Sequence, residues 1–176
     1  YRGYDSAGIA VVDGGLRINK VLGHVANLES KGMAGTLGIG HTRWATHGKP
    51  SVQNAHPHTD CSGKMAIIHN GIIENYLELK NRLKEHRYKS ETDSEVLLHL
   101  IEEHYDGDLK QAVLESVKEV KGAYAFCIIH QDKREIVVAR NGSPVVLGLG
   151  EKENFVGSDV SAIVAYTKKV IYLNDF

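Results

Sequence analysis

Two cysteines in 176 residues are too few for a disulfide framework, which makes a reducing, cytoplasmic setting the expectation. No apolar run approaches the ~20 residues that span a bilayer. No charged segment followed by an apolar one opens the chain as a secretion leader would. An excess of one charge is also missing: 21 Lys and Arg stand against 22 Asp and Glu. That balance gives no global field toward nucleic acid or an anionic membrane. Internal repeats, low-complexity stretches and domain linkers are absent as well. What remains is one domain with a sizeable core. Tyr1-Arg2-Gly3 at one end and Asn174-Asp175-Phe176 at the other read as the edges of a piece of something longer.

The first strong pattern is a hairpin. Ala7 to Val12 is a short apolar run, Asp13-Gly14-Gly15 is turn chemistry, and Leu16 to Val21 alternates apolar and polar. A short helix is expected over Val25 to Lys31, then a strand over Thr36 to Gly40 and a central strand over Lys64 to His69. Three helices follow, each opened by a capping pattern: Asn75 with Glu78, Thr92 with Glu95, and Asp108 with Gln111. The period then returns to that of strands, over Ala123–Ile129, Glu135–Ala139, Val145–Leu149 and Asn154–Gly157. A tight turn at Asn141-Gly142, a short helix over Asp159–Tyr166 and a last strand over Val170–Leu173 complete the pattern. Strands, a helical block and strands again predict α+β with antiparallel sheets and segregated helices, not a doubly wound parallel sheet.

Five segments are too polar or too specific for plain scaffold: Tyr1 to Gly8, His41 to Gly48, Asn54 to His58, His69 to Asn75 and Ser90 to Asp93. In the second, the strand gives way to a loop before Lys49-Pro50, where proline removes a backbone donor. Arg43 offers a planar fork for a carboxylate, and Trp44 a flat wall. Thr46 and His47 offer short hydrogen bonds. A loop that clasps a small anion and a surface loop with a packed Trp both fit these eight residues.

His69-Asn70-Gly71 ends the predicted strand, where Asn-Gly is ordinarily a turn. The functional alternative is an oxyanion hole made from the Asn70 amide and the Gly71 N–H. Asp93 falls in the first turn of a helix, a place the dipole favours for any carboxylate. It could equally grip a ligand ammonium. His41, His47, His56 and His58 invite a metal reading, but they carry no acidic ligand or Cys pair at a recognised metal spacing. Structural hydrogen bonding is the expected use, with no metal and no cofactor. Cys61 in a polar loop and Cys127 in a strand do not look like catalytic thiols.

Together the five segments, in this order, closely resemble the glutaminase domains of the glutamine–fructose-6-phosphate aminotransferases, a family of class II glutamine amidotransferases. Trp44-Ala45-Thr46-His47, Asn54-Ala55-His56-Pro57-His58 and Ile72-Ile73-Glu74-Asn75 separate it from the amidophosphoribosyltransferases and asparagine synthetases. The resemblance implies an N-terminal-nucleophile hydrolase fold, a four-layer αββα sandwich of two antiparallel sheets. It implies a catalytic Cys at the mature N-terminus that attacks the side-chain amide of glutamine, with its own α-amino group as base. Arg43 would pair with the glutamine α-carboxylate and Asp93 with its α-amino group. Asn70 and Gly71 would form the oxyanion hole. Trp44 to Lys49 would close over the ligand with contacts from Thr46 and His47, and Arg2 would help order the catalytic Cys.

The whole protein would then deliver ammonia from glutamine to fructose 6-phosphate, giving glucosamine 6-phosphate, as a cytoplasmic homodimer without nucleic-acid or membrane partners. Some parts of the family pattern are missing. The strand that begins with the nucleophilic Cys, the last glutaminase strands and the sugar isomerase domains are not in these residues. The stretches around Gly32 and Arg87 also run short. A fragment inactive on its own is therefore expected. Another class II amidotransferase, or a catalytically silent glutamine-binding fragment, is the alternative.

Overall fold

A computed structural model describes residues 5–29, 32–44 and 48–175. The hairpin forms where the alternation puts it: β1 (Ser6–Val12) and β2 (Leu16–Leu22) pair antiparallel from Ser6↔Leu22 to Val12↔Leu16. The helix expected from Val25 is only a 3₁₀ turn over Val25–Asn27. Beyond it, β3 (Leu37–Arg43) pairs with the free edge of β1, with Ser6 opposite Arg43. The result is a three-stranded sheet in the order β2-β1-β3.

A second sheet is built from the short β4 (His58–Thr59) and the long β5 (Met65–Ile73). Three helices then intervene: α1 (Tyr76–Arg82), α2 (Asp93–His104) and α3 (Leu109–Val117). Two more strands, β6 (Gly122–His130) and β7 (Ile136–Asn141), complete the order β4-β5-β6-β7, all antiparallel. A small third sheet joins β8 (Val146–Leu149), β9 (Asn154–Gly157) and β10 (Val170–Tyr172) in the order β10-β8-β9.

The four-stranded sheet is apolar on both faces because it is covered on both. Met65, Ile67, Tyr124, Phe126 and Ile128 meet Leu97, Leu100, Ile101, Leu109 and Val113 of the helices. Ala66 and Ile129 on the other face meet Ala10 and Ile39 of the first sheet, flanked by Ile68, Cys127, Ile18 and Leu37. Helices, sheet and sheet give three of the four layers of an αββα sandwich. Each fully buried Leu or Ile contributes about 1.5–3 kcal/mol relative to exposure. α2 lies inside rather than on the surface, since every residue from Asp93 to Ile101 is buried.

Local signals hold at two of the three helix starts. The Thr92 side chain accepts from Glu95 N and that of Asp108 from Gln111 N. At Asn75 the expected cap does not form. Its side chain instead donates to Glu119 O and accepts from Lys121 N, tying the start of α1 to the segment before β6.

Candidate active site

The site lies where both apolar faces run out. On β3 the period of two carries Leu37 and Ile39 onto the face toward the second sheet, then His41 and Arg43 onto the same face. On β5 it carries Ala66 and Ile68 toward the first sheet, then Asn70. The alternate positions Met65 and Ile67 face the helices, and His69 follows them to reach α2. Polar residues therefore face one another just beyond the core. A cleft of about 820 Å³ opens there, lined among others by Arg43, Trp44, Asn70, Gly71 and Asp93. Of the residues expected at a site, these five come together. Arg2, Thr46 and His47 lie outside the described residues.

Two placements differ from expectation. Arg43 is not in a loop: it is the last residue of β3, buried, with Nη2 donating to Gly48 O at 3.3 Å and Nη1 lying 3.6 Å from Asp5 Oδ1. Asn70-Gly71 is not a turn either, because β5 runs through it, with Asn70 opposite Ala125 and Gly71 opposite Tyr124. Trp44, by contrast, stands 61% exposed at the cleft rim, as a loop residue should. Asp93 is the first residue of α2 and is buried; its Oδ2 accepts from the Ile73 N–H at 2.8 Å.

Behind the cleft runs a chain of side-chain hydrogen bonds that residue-by-residue reading missed. Asn70 Oδ1 lies 2.9 Å from His41 Nε2, and His41 Nδ1 lies 3.1 Å from His56 Nδ1. His56 Nε2 lies 2.8 Å from Ser94 Oγ, which is 2.9 Å from His69 Nδ1. With neutral rings and Asn70 Oδ1 as the acceptor, His41 Nε2–H donates to Asn70, His56 Nδ1–H to His41 Nδ1, and the Ser94 hydroxyl to His56 Nε2. The amide of Asn70 is then fixed with its NH₂ free for the cleft. His56 and His58 thus hydrogen-bond to side chains, His58 Nε2 to Thr92 Oγ1 at 3.0 Å, while His41 also meets the His69 backbone. Of this hydrogen-bond chain only the His41 member had a signal in the sequence, sitting two residues before Arg43 on one strand face.

Burial holds these imidazoles neutral. It lowers His41, pushes His56 well below its usual range, and brings His58 to about 3 and His69 to about 4. The consequence for stability has a definite sign. Between about pH 6.5 and each lowered value the unfolded chain binds more protons than the native one, so stability falls as pH drops through that window. Each histidine contributes up to ~1.4 kcal/mol per pH unit there. Glu95, held at about 2 by hydrogen bonds that outweigh its burial, adds to the loss only at lower pH. His99 offsets part of this loss: burial alone would lower it, but the Glu95 and Glu102 carboxylates outweigh that and raise it. Urea unfolding at pH 7.5 and pH 5 is therefore expected to differ by a few kcal/mol. A flat profile between the two would mean that the histidines titrate normally.

Neither thiol is poised as a nucleophile. Burial raises the Cys61 thiol and pushes Cys127 up to about 12. Cys61 lies between β4 and β5, away from the cleft lining.

This fold is that of a known class: the chain belongs to the glutamine amidotransferase domain family, whose pattern matches residues 27–175. Within it the chain is 57% identical over 182 residues to a glutamine–fructose-6-phosphate aminotransferase (isomerizing) of Thermus thermophilus. It is 55% identical over 184 residues to that of Aquifex aeolicus. Each match takes in 99% of this chain but only 30% and 31% of those proteins, so the chain spans under a third of their length. Among solved structures it resembles the glutamine phosphoribosylpyrophosphate amidotransferase from B. subtilis complexed with ADP and GMP. That likeness has a TM-score of 0.80 and 31% identity, over 97% of this chain and 39% of that one. A structure described as the allosteric regulatory enzyme of purine biosynthesis matches with a TM-score of 0.82, at 31% identity and the same coverage. The fold class is accordingly α+β of the N-terminal-nucleophile hydrolase type, and the chain is homologous to the glutaminase part of the aminotransferases.

Proposed function

We propose that the cleft binds L-glutamine and serves the hydrolysis of its side-chain amide. The observation that carries this reading is the convergence of Arg43, Asp93, Asn70 and Gly71 on one cleft. Arg43 pairs with the α-carboxylate as a planar fork, and Asp93 takes the α-ammonium. A thiol attacks the amide carbon, ammonia leaves, and water hydrolyses the thioester to release glutamate. The carbonyl oxygen gains negative charge at each attack, and the Asn70 NH₂, held by His41, meets it together with the Gly71 N–H. Trp44, Thr46 and His47 belong to the segment that closes over the ligand, and Arg2 helps to order the nucleophile.

In the whole protein the ammonia passes to fructose 6-phosphate, bound by domains beyond this stretch. The protein acts as a homodimer in the cytoplasm. An amidotransferase with another acceptor has the same cleft chemistry, and the two readings part at the acceptor. Identity of 57% to an aminotransferase, against 31% to the phosphoribosylpyrophosphate enzyme, supports fructose 6-phosphate.

The raised thiols give a direct test. The 176-residue chain alone is expected to release no glutamate from glutamine. A form preceded by the family's Cys-first strand is expected to release it. Glutamate release by the shorter chain that disappears in Cys61→Ser would overturn the assignment of the nucleophile. For the acceptor, the full-length protein should form glucosamine 6-phosphate from glutamine and fructose 6-phosphate; transfer to phosphoribosylpyrophosphate instead would favour the second reading.

A further inference from the structure

Away from the cleft, four side chains converge that glutamine chemistry does not use. Cys61 sits in the turn between β4 and β5, His86 in the connection from α1 to α2, and His99 and Glu102 one turn apart on α2. One ligand atom from each lies within 4.8 Å of all the others. We propose that Cys61, His86, His99 and Glu102 bind a zinc ion in a closed, four-ligand tetrahedral site.

The distances fit that geometry. Zn–S of about 2.3 Å and Zn–N or Zn–O of about 2.0–2.1 Å give tetrahedral edges of roughly 3.3–3.6 Å between ligand atoms. Cys61 Sγ lies 3.6 Å from His86 Nδ1 and 3.8 Å from His99 Nδ1. Glu102 Oε2 lies 3.1 Å from His86 Nδ1 and 2.8 Å from His99 Nδ1. An ion need only open the two carboxylate edges by a few tenths of an ångström and draw the two rings together. Their centroids are already 4.7 Å apart.

The surroundings fit as well. Both imidazoles turn Nδ1 inward; the outward Nε2 of His86 meets Glu103 at 3.0 Å, within hydrogen-bond reach, and that of His99 faces Glu95 at 3.8 Å, beyond it. Metal-bound histidines are held by such outer carboxylates. The Arg87 N–H points at the sulfur at 3.4 Å, and the Cys61 N–H at the Glu102 carboxylate at 3.1 Å. Hydrogen bonds between Glu102 and the histidines would satisfy those three groups, but they give the thiol no reason to lie against both ring nitrogens. Thiolate, carboxylate and two neutral imidazoles also cancel the charge of a divalent ion. One sulfur and two nitrogens select zinc or a neighbouring transition metal over magnesium or calcium.

Four protein ligands leave no open position for substrate or water, so the site is structural. It ties the β4–β5 turn and the α1–α2 connection to α2, the helix that carries Asp93. The four residues are scattered through the sequence and only the fold gathers them, which is why metal-spacing rules did not find them.

The test uses the purified protein, stripped with a chelator and titrated with Co²⁺ and then Zn²⁺ at pH 7.5. One equivalent of Co²⁺ is expected to bind with a near-ultraviolet thiolate-to-cobalt charge-transfer band and intense visible bands of tetrahedral cobalt. Zn²⁺ should displace it. Cys61→Ser should lose the charge-transfer band and Cys127→Ser should keep it. Glu103→Gln, at a largely exposed carboxylate and compatible with folding, should weaken zinc binding roughly 10–100-fold. A band that survives in Cys61→Ser, or Co²⁺ bound only weakly and octahedrally through histidine, would overturn the proposal. Unchanged zinc affinity in Glu103→Gln would count against it too.

Discussion

Gly71→Ala is expected to be among the most damaging single substitutions in this chain, with a loss of stability on the order of 3–5 kcal/mol. Two separate costs combine. Gly71 has φ of 117°, a backbone conformation that L residues rarely adopt. A Cβ there would also fall 2.1 Å from Ala123 O and 2.9 Å from Tyr124 Cα. Both obstacles are backbone of β6, held between β5 and β7 and unable to step aside as a flexible side chain would. Gly107→Ala is the matched control, since Gly107 has φ of 116° but nothing within 4 Å of its Cβ position. It meets the conformational cost alone. Urea or thermal unfolding of the two variants compares them directly, and equal losses would mean that the contact with β6 contributes nothing. The closeness that excludes a side chain is also what lets the Gly71 backbone border the cleft.

Much of the fold could be read from local patterns. The β1–β2 hairpin, the α2 and α3 caps and the strands after α3 lie where alternation, turn residues and capping residues put them. The errors share a cause. At Asn70-Gly71 the dipeptide's turn preference is real, but partners from Gly122 to His130, remote in sequence, extend the strand through it. The strand that was expected to end at Gly40 reaches Arg43 because β1 pairs with it to Ser6. Asn75 had the right chemistry for a cap and used it on Glu119 and Lys121 instead.

The site follows the same rule. Arg43, Asn70 and Asp93 could be picked out because their chemistry is specific. The route from Asn70 through His41 and His56 to Ser94 could not, because two strands, a loop and a helix must meet before it exists. The Cys61 cluster is a further case, with its ligands spread from one loop to the far end of α2.

Removing either end of the proposed glutamine clamp should weaken binding by about 2–5 kcal/mol, because a ligand charge is left unpaired. Burial changes how that must be measured. Read as a loop residue and a replaceable helix-turn residue, Arg43 and Asp93 would both tolerate alanine, but the structure contradicts this. Asp93→Ala would strip the partner from the Ile73 N–H, a buried group whose loss of a hydrogen bond costs about 1–3 kcal/mol. Asp93→Asn is the better probe: it keeps a carbonyl oxygen for Ile73 and removes only the charge. At the other end, Arg43→Lys keeps the charge and loses the planar fork beside Gly48 O. Calorimetric titration with glutamine, in a form that includes the Cys-first strand, should show weakened binding in both variants. The losses should then separate by ligand. Relative to glutamine, Asp93→Asn should accept an analogue lacking the amine better than the wild type does. Arg43→Lys should do the same for an analogue lacking the carboxylate. Unchanged glutamine affinity in both, with unfolding curves like the wild type, would remove the clamp and leave Arg43 and Asp93 as structural residues of β3 and α2.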